Sequence, residues 1–590
     1  MSDQIEVVEL TQLEQDDRID ALKLYFAQAV TEESGFTKLP ADKQARVREV
    51  LKSLGGMRFE SRKTFEEVAR ALLEPVAPDL VKYLGVALDN AAERIGKQRG
   101  VLVIYTGGTI GSAPKNPSDP DSPQVVRPWA ELKTALPNLG TLGYPIDAIS
   151  FVEPLDSCNV GPRHWLTLCR IIQENYGDYT GFVILHGTDS MVYSASALAF
   201  MLQGLSKPVV LTGSQVAGIV NARNDAHQNV ITAIQLANPE AHGLPKVPEV
   251  MVAFGNLISR GCRAKKMNVV GYQGFRSPNY PLLGEAGEFI TIERKQVRQM
   301  PQTELRVLDR LDPNVIVVEV FPGMQGSEIL SNILKDKNLR GVVLKSYGAG
   351  NIPTDPEFLN LFKEFIANDG VVVNVTSVPQ GEVVMGLYET SQVLVDIGII
   401  GGFDITPEAA LAKLQVLLGN FDDDIETVKR LMQQSIAGEQ RLSLKVTRFP
   451  QAGRINQGQP GLGLSRAVLD SIDRVDLIEK VMLRFTEVEL NPAGEERAIL
   501  RIGLEHEGRK DVLGEFRRGR IPERALIKDE GLRESLAIDL TAHKEYFVGR
   551  ESTGPIPIKQ HVAFNVTLSE APGASFSWQC AELNIYYADA

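Results

Sequence analysis

The chain has 590 residues, 43% hydrophobic and 23% charged, with a formal net charge of −13. That length implies two to four domains, and the acidic balance argues against nonspecific binding to nucleic acid or to an anionic membrane. The N-terminus MSDQIEVVELTQLEQDD lacks the basic and apolar regions of a signal peptide, and no run approaches the roughly 18 apolar residues of a membrane helix, so a cytoplasmic location is expected.

Residues 1–98 read as a helical N-terminal region. TQLEQDDRIDALKLYFAQAV places Leu22, Tyr25, Phe26 and Ala29 on one helical face. Gly55-Gly56 breaks the pattern, TFEEVARALL resumes it, and DLVKYLGVALDNAAERIG closes at Gly96. From residue 100 to 440 the character changes. Short runs rich in Val and Ile recur (VLVIYT, GFVILH, PVVLTG, EVMVAFGN, NVIVVEV, GVVLKSY, GVVVNVT), several separated by helical patterns such as AHQNVITAIQLA. They lack polar alternation, which predicts an α/β fold of parallel strands covered on both faces. Ligands in such sheets bind beyond the carboxyl ends of strands. Residues 445–475, rich in Gly, Gln and Pro, read as a linker. The stretch 476–590 alternates polar and apolar residues, as in KVMLRFTEVEL and HVAFNVTL, and predicts an all-β, sandwich-like C-terminal domain.

Four loops carry the candidate chemistry: Thr106-Gly107-Gly108-Thr109-Ile110-Gly111, Leu155-Asp156-Ser157-Cys158-Asn159, His186-Gly187-Thr188-Asp189-Ser190, and the basic cluster Arg260-Gly261-Cys262-Arg263-Ala264-Lys265-Lys266. They supply hydroxyls flanked by glycine, carboxylates and an ammonium. A threonine hydroxyl becomes a nucleophile only when a base takes its proton, and lysine fills that role when its surroundings tune it. Glycines allow backbone N–H groups to approach a developing oxyanion. These parts suit acyl transfer without histidine or metal. Each also has a plainer reading: the threonines as helix N-caps, the glycines as turn residues, the Arg/Lys cluster as a solvated face. His186 reads as structural, because no G-x-S-x-G elbow accompanies it. The cysteines Cys158, Cys169, Cys262 and Cys580 show no CxxC spacing, suit a reducing compartment and do not form a zinc pattern.

Together, TGGTIG, LHGTDS, RGCRAKK followed by SPNYPLLGEAG, and KSYGAGNIP with GVVVNVTSVPQGEVVMG resemble the L-asparaginase/glutaminase family, and within it the cytoplasmic bacterial type I branch. The resemblance implies a larger lobe over 99–310 that carries the nucleophile and a smaller α/β lobe over 311–444. It implies hydrolysis of L-asparagine, with L-glutamine as a possible further substrate, to the amino acid and ammonia, with no cofactor. By the same resemblance Thr109 is the nucleophile, and Thr188, Asp189 and Lys266 are its catalytic partners. Asp156 and Ser157, with Thr188 and Asp189, hold the substrate's α-carboxylate and α-amino groups. Asn351 reaches the site from a neighbouring subunit, which implies a homodimer or homotetramer.

The chain also departs from the family pattern. The loop SAPKNPSDPDSPQVVRP holds no tyrosine where relatives place one against the nucleophile, and its composition suits a mobile lid. Positions that serve an effector site in some type I relatives read Lys345, Val378 and Lys265, which implies a hyperbolic rather than sigmoidal response. Two alternatives stand beside the hydrolase: the asparaginase-like subunit of a tRNA-dependent amidotransferase, and a catalytically weakened amino-acid-binding scaffold.

Overall fold

A computed structural model describes parts of residues 7–31, then 34–57 and 62–81. It describes 100–449 apart from 117, 120–121, 137–138, 219–220, 222, 384 and 386–388, and strands between 453 and 588. The chain divides into two compact units, Met1–Leu311 and Asp312–Ala590.

The first unit is built on a nine-stranded sheet. Its strands in chain order are β1 (Val7–Leu10), β2 (Val101–Gly107), β3 (Ile146–Leu155), β4 (Gly181–Leu185), β5 (Val209–Thr212), β6 (Val250–Phe254), β7 (Leu257–Arg260), β8 (Gly284–Ala286) and β9 (Ile290–Ile292). The spatial order is β1-β3-β2-β4-β5-β6-β7-β8-β9. The run β3-β2-β4-β5-β6 is parallel, and antiparallel strands extend it at both sides. Every residue of β2 and β4 is buried, as their unbroken apolar runs demand in a sheet covered on both faces. The chain passes from β2 to β3 on one side, then crosses to β4 on the other. The strand order therefore reverses between β2 and β4, the place beyond whose carboxyl ends a parallel sheet binds ligands.

The N-terminal region is helical over Ala41–Gly56 and Arg62–Leu73, with Phe26, Val30, Phe36, Val47, Leu54 and Phe65 in its core. Of the face expected around Phe26, that residue is buried; Leu22, Tyr25 and Ala29 lie outside the described residues, as does the chain from 82 to 99. One stretch departs from the helical expectation. Val7–Leu10 is a strand that adds antiparallel to β3, Val7 opposite Phe151 and Leu10 opposite Ala148. A short VVEL run has β propensity but no periodicity to reveal it, and its partner lies far along the chain.

The second unit opens with a parallel four-stranded sheet, β10 (Val315–Glu319), β11 (Gly341–Ser346), β12 (Val371–Thr376) and β13 (Ile400–Gly401), in that order. An all-β module of antiparallel sheets follows. Its strands Ile478–Thr486 and Cys580–Ala588 pair Val481 with Ile585, Leu483 with Leu583 and Phe485 with Ala581. All six are buried, the period-two pattern of a half-covered sheet. The expected linker over 445–475 is corrected here. Leu442–Phe449, Gly453–Asn456 and Leu462–Val468 are strands that pair with Cys580–Ala588, Ser575–Trp578 and Gln560–Ser569. The Gly and Pro residues that suggested a linker separate short strands whose partners lie about a hundred residues or more along the chain.

Lys413 and Glu439 form a fully buried pair, Nζ to Oε1 2.5 Å. Lys413 also donates to the carbonyl of Gln434 at 2.6 Å, and Glu439 accepts the amides of Ile436 and Ala437. Burial alone would raise the Glu439 pKa; the Lys413 ammonium and these amides hold it below the usual range. Removing one partner strands the other charge in the core. Lys413→Met is therefore expected to lose about 3–5 kcal/mol in denaturation experiments, and Lys413→Met/Glu439→Leu to recover most of it.

Candidate active site

β2 ends in two glycines of positive φ, Gly107 at 122° and Gly108 at 90°, and the chain then turns through a 3-10 segment, Thr109–Gly111. Both glycines also sit where no side chain fits. A Cβ on Gly107 would lie 2.2 Å from the carbonyl oxygen of Leu155, and one on Gly108 would lie 2.3 Å from the Cα of Gly187. The loops after β2 and β4 thus touch backbone to backbone, a role that turn chemistry alone did not suggest.

The loop after β3 completes the junction. Ser157, only 2% exposed, opens a 3-10 turn whose N-cap, Asp156, accepts the Cys158 amide at 3.3 Å. A Cβ on Gly187 would sit 2.6 Å from the Ser157 side chain. Ser157 Oγ accepts the Asp189 amide at 3.2 Å, and the Ser157 carbonyl accepts the Ser190 hydroxyl at 2.5 Å. Ser190, part of a motif read for its threonine and aspartate, is the fastener between these loops.

The basic cluster divides by burial. Arg260 pairs with Glu249 at 2.5 Å, both nearly sealed from solvent. Arg263 is buried with its guanidinium 5.0 Å from the Tyr280 ring centre. These two correct the solvated-face reading. Lys265–Lys266 then forms a short strand against Phe275–Arg276, and adjacent side chains on a strand take opposite faces. Lys266, with its side chain 17% exposed, donates to Thr188 Oγ1 at 2.8 Å and to Asp189 Oδ1 at 2.6 Å. A hydroxyl, a carboxylate and an ammonium so meet at the carboxyl end of β4, beside the turn that carries Thr109.

His186 stands behind this assembly, fully buried. Its Nδ1 lies 2.7 Å from the Gly187 carbonyl and its Nε2 2.9 Å from Ser194 Oγ, which accepts Trp165 Nε1–H at 2.8 Å. A carbonyl can only accept, so the network assigns the proton to Nδ1 and makes Nε2 the acceptor. Burial lowers the His186 pKa to about 4. A neutral imidazole bound at both nitrogens holds the loop rather than shuttling protons.

The loop expected as a lid folds into a hairpin, Ser112–Pro114 antiparallel to Gln124–Val126. Cys158 is exposed, and its thiol pKa is raised by partial desolvation and by the neighbouring carboxylates of Asp156 and Asp189, which disfavours a thiolate nucleophile. Asn351 belongs to the second unit, in a turn where it bridges Tyr347. Among the described residues no group of His, Cys, Asp and Glu is arranged to hold a metal, and no helix is long and apolar enough to cross a membrane.

Comparison with known proteins matches residues 100–298 to the family model "Asparaginase, N-terminal" and residues 314–432 to "Glutaminase/Asparaginase C-terminal domain". The chain is 38% identical over 347 residues to L-asparaginase 1 of Escherichia coli, covering 58% of this chain and 98% of that protein. It is 33% identical over 377 residues to the 60 kDa lysophospholipase of Mus musculus, covering 60% of this chain and 64% of the other. Among solved structures, the thermostable L-asparaginase from Thermococcus kodakarensis aligns with a TM-score of 0.51 and 31% identity, over 58% of this chain and 99% of that one.

Two outcomes follow from the geometry. Gly187→Ala is expected to drive a methyl group into Ser157 and to lower stability by about 1–3 kcal/mol, read by thermal unfolding. His186 resists protonation in the folded chain. Its contribution is full above pH 6.5 and declines by roughly 1.4 kcal/mol per pH unit as pH falls toward about 4. Denaturation across that window should show this slope, and His186→Gln should lack it.

Proposed function

The chain belongs to the asparaginase/glutaminase family, and on that premise we propose that it cleaves the side-chain amide of L-asparagine, giving L-aspartate and ammonia through an acyl-enzyme on Thr109. The observation that carries this reading is the contact of Lys266 with both Thr188 and Asp189, at the glycine junction that brings the Thr109 turn against the same loop.

In this proposal Lys266 works as the neutral amine, its ammonium proton having passed to solvent: Thr109 Oγ1 attacks the amide carbon, Thr188 Oγ1 takes the Thr109 proton and gives its own to Lys266 Nζ. The tetrahedral centre collapses, the C–N bond breaks, and that proton leaves with the nitrogen as ammonia. Water then adds to the acyl carbon; its proton returns to Thr109 as the ester bond breaks and aspartate is released. Asp189 is the partner of the substrate ammonium, and Ser157 with Asp156 holds the head group, so that the amide is aimed at Thr109. Asn351 joins the site from another copy in a homodimer or homotetramer. We assign L-glutamine as a secondary substrate and the cytoplasm as the location.

A second reading follows the name of the mouse relative. Val269 and Val270, 77% and 80% exposed, stand three and four residues after Lys266, and such an apolar tip suits a substrate with an acyl chain. The same attack on an ester would release an alcohol instead of ammonia.

The test is ammonia release by the purified chain alone, without tRNA or a partner subunit, with asparagine and glutamine as substrates and fatty-acid release from a lysophospholipid measured in parallel. Asparagine is expected to give the highest turnover. Thr109→Ala and Lys266→Met are each expected to lower it by about a thousandfold or more with the fold retained. Near-normal turnover by Thr109→Ala would remove that residue from its role.

A further inference from the structure

The turn that carries Thr109 is held at its far end by an arrangement the proposed chemistry leaves unused. Tyr105 lies on β2, completely buried, with its ring 5.7 Å from that of Trp129. Its hydroxyl donates to the carbonyl of Arg127 at 2.8 Å. The same oxygen occupies the space a side chain at Gly111 would need: a Cβ there would lie 1.9 Å from it. Gly111 closes the 3-10 turn that Thr109 opens. On its other side, the Gly111 carbonyl accepts the Arg127 amide at 2.8 Å. The Arg127 guanidinium reaches back across the hairpin to the carbonyl of Pro114 at 2.5 Å.

Arg127, near the end of the loop, therefore holds its start at Gly111 and Pro114, and Tyr105 braces the same point. Its phenol pKa is raised by burial and by Glu131, so it stays a donor through the neutral and alkaline range. The loop itself, residues 112–128, contains no tyrosine that could touch Thr109 from outside.

We propose that Tyr105 and Arg127 are positioning residues for Thr109, a clamp beneath the turn that fixes where its hydroxyl points. This deepens the acyl-enzyme reading and rests on Thr109 as the nucleophile. The clamp acts on the end of the turn opposite the loops of Asp156, Ser157 and Asp189, so it sets the rate of attack and leaves binding of the amino-acid head to those loops. A small displacement of a reacting atom is enough to lower turnover strongly.

The experiment is steady-state kinetics of the full chain on asparagine, with Thr109→Ala as the control and thermal unfolding of every variant. Tyr105→Phe conserves the ring and removes only the hydroxyl. It is expected to lower kcat by about 10- to 100-fold with KM within about twofold of the parent and Tm nearly unchanged. Arg127→Lys is expected to restore most of the kcat that Arg127→Met loses. Parent-level kcat in Tyr105→Phe overturns the proposal. So does a parallel loss of Tm and of both kinetic constants, which would mark the residue as structural only. Retained activity in Thr109→Ala is a separate outcome: it removes the nucleophile reading itself.

Discussion

One ammonium group organises the site. Lys266 Nζ is shared between Thr188 and Asp189, 78 and 77 residues away along the chain, and that sharing fixes a hydroxyl and a carboxylate relative to each other. Beside that contact, loops from β2, β3 and β4 approach to backbone distance. Gly108 and Gly187 are the surfaces of that approach, and a methyl group on either would occupy the space of the neighbouring loop. The glycines therefore do more than turn the chain: they set how closely the loops after β2, β3 and β4 approach.

Around this centre, rigid and open parts are separated. Arg260 with Glu249, and Arg263 against Tyr280, are sealed inside and hold the turn that delivers Lys266. His186 is buried and bonded at both nitrogens, fixing the Gly187 peptide from behind. Asp189 keeps its side chain 63% exposed to solvent. A carboxylate with one side on lysine and the other toward water avoids the desolvation cost that a fully buried ion pair would carry.

Much of this architecture was legible in the sequence because its signals are local. GFVILH is apolar at nearly every position and is a fully buried strand; TGGTIG and HGTDS follow strand ends, where a parallel sheet binds ligands. Strands of the C-terminal module alternate as their burial requires. What could not be read depended on distant partners. Arg260 looked like surface charge until Glu249 was opposite it. Val7–Leu10 had no periodicity to distinguish it, and residues 445–475 looked like a linker because their partners lie beyond residue 560. The bond from Ser190 to the Ser157 carbonyl has no sequence signature, since nothing in a serine foretells which loop it will fasten.

In the proposed mechanism the Thr109 hydroxyl, beside this lysine-centred assembly, becomes covalently acylated. The most direct measurement is rapid acid quench of the working enzyme with asparagine, followed by peptide mass spectrometry. An aspartyl ester on the peptide containing Thr109, formed and lost at rates compatible with turnover, is the expected result. An acyl group on Thr188, Ser157 or Cys158, or turnover with no acyl-enzyme at all, would contradict it.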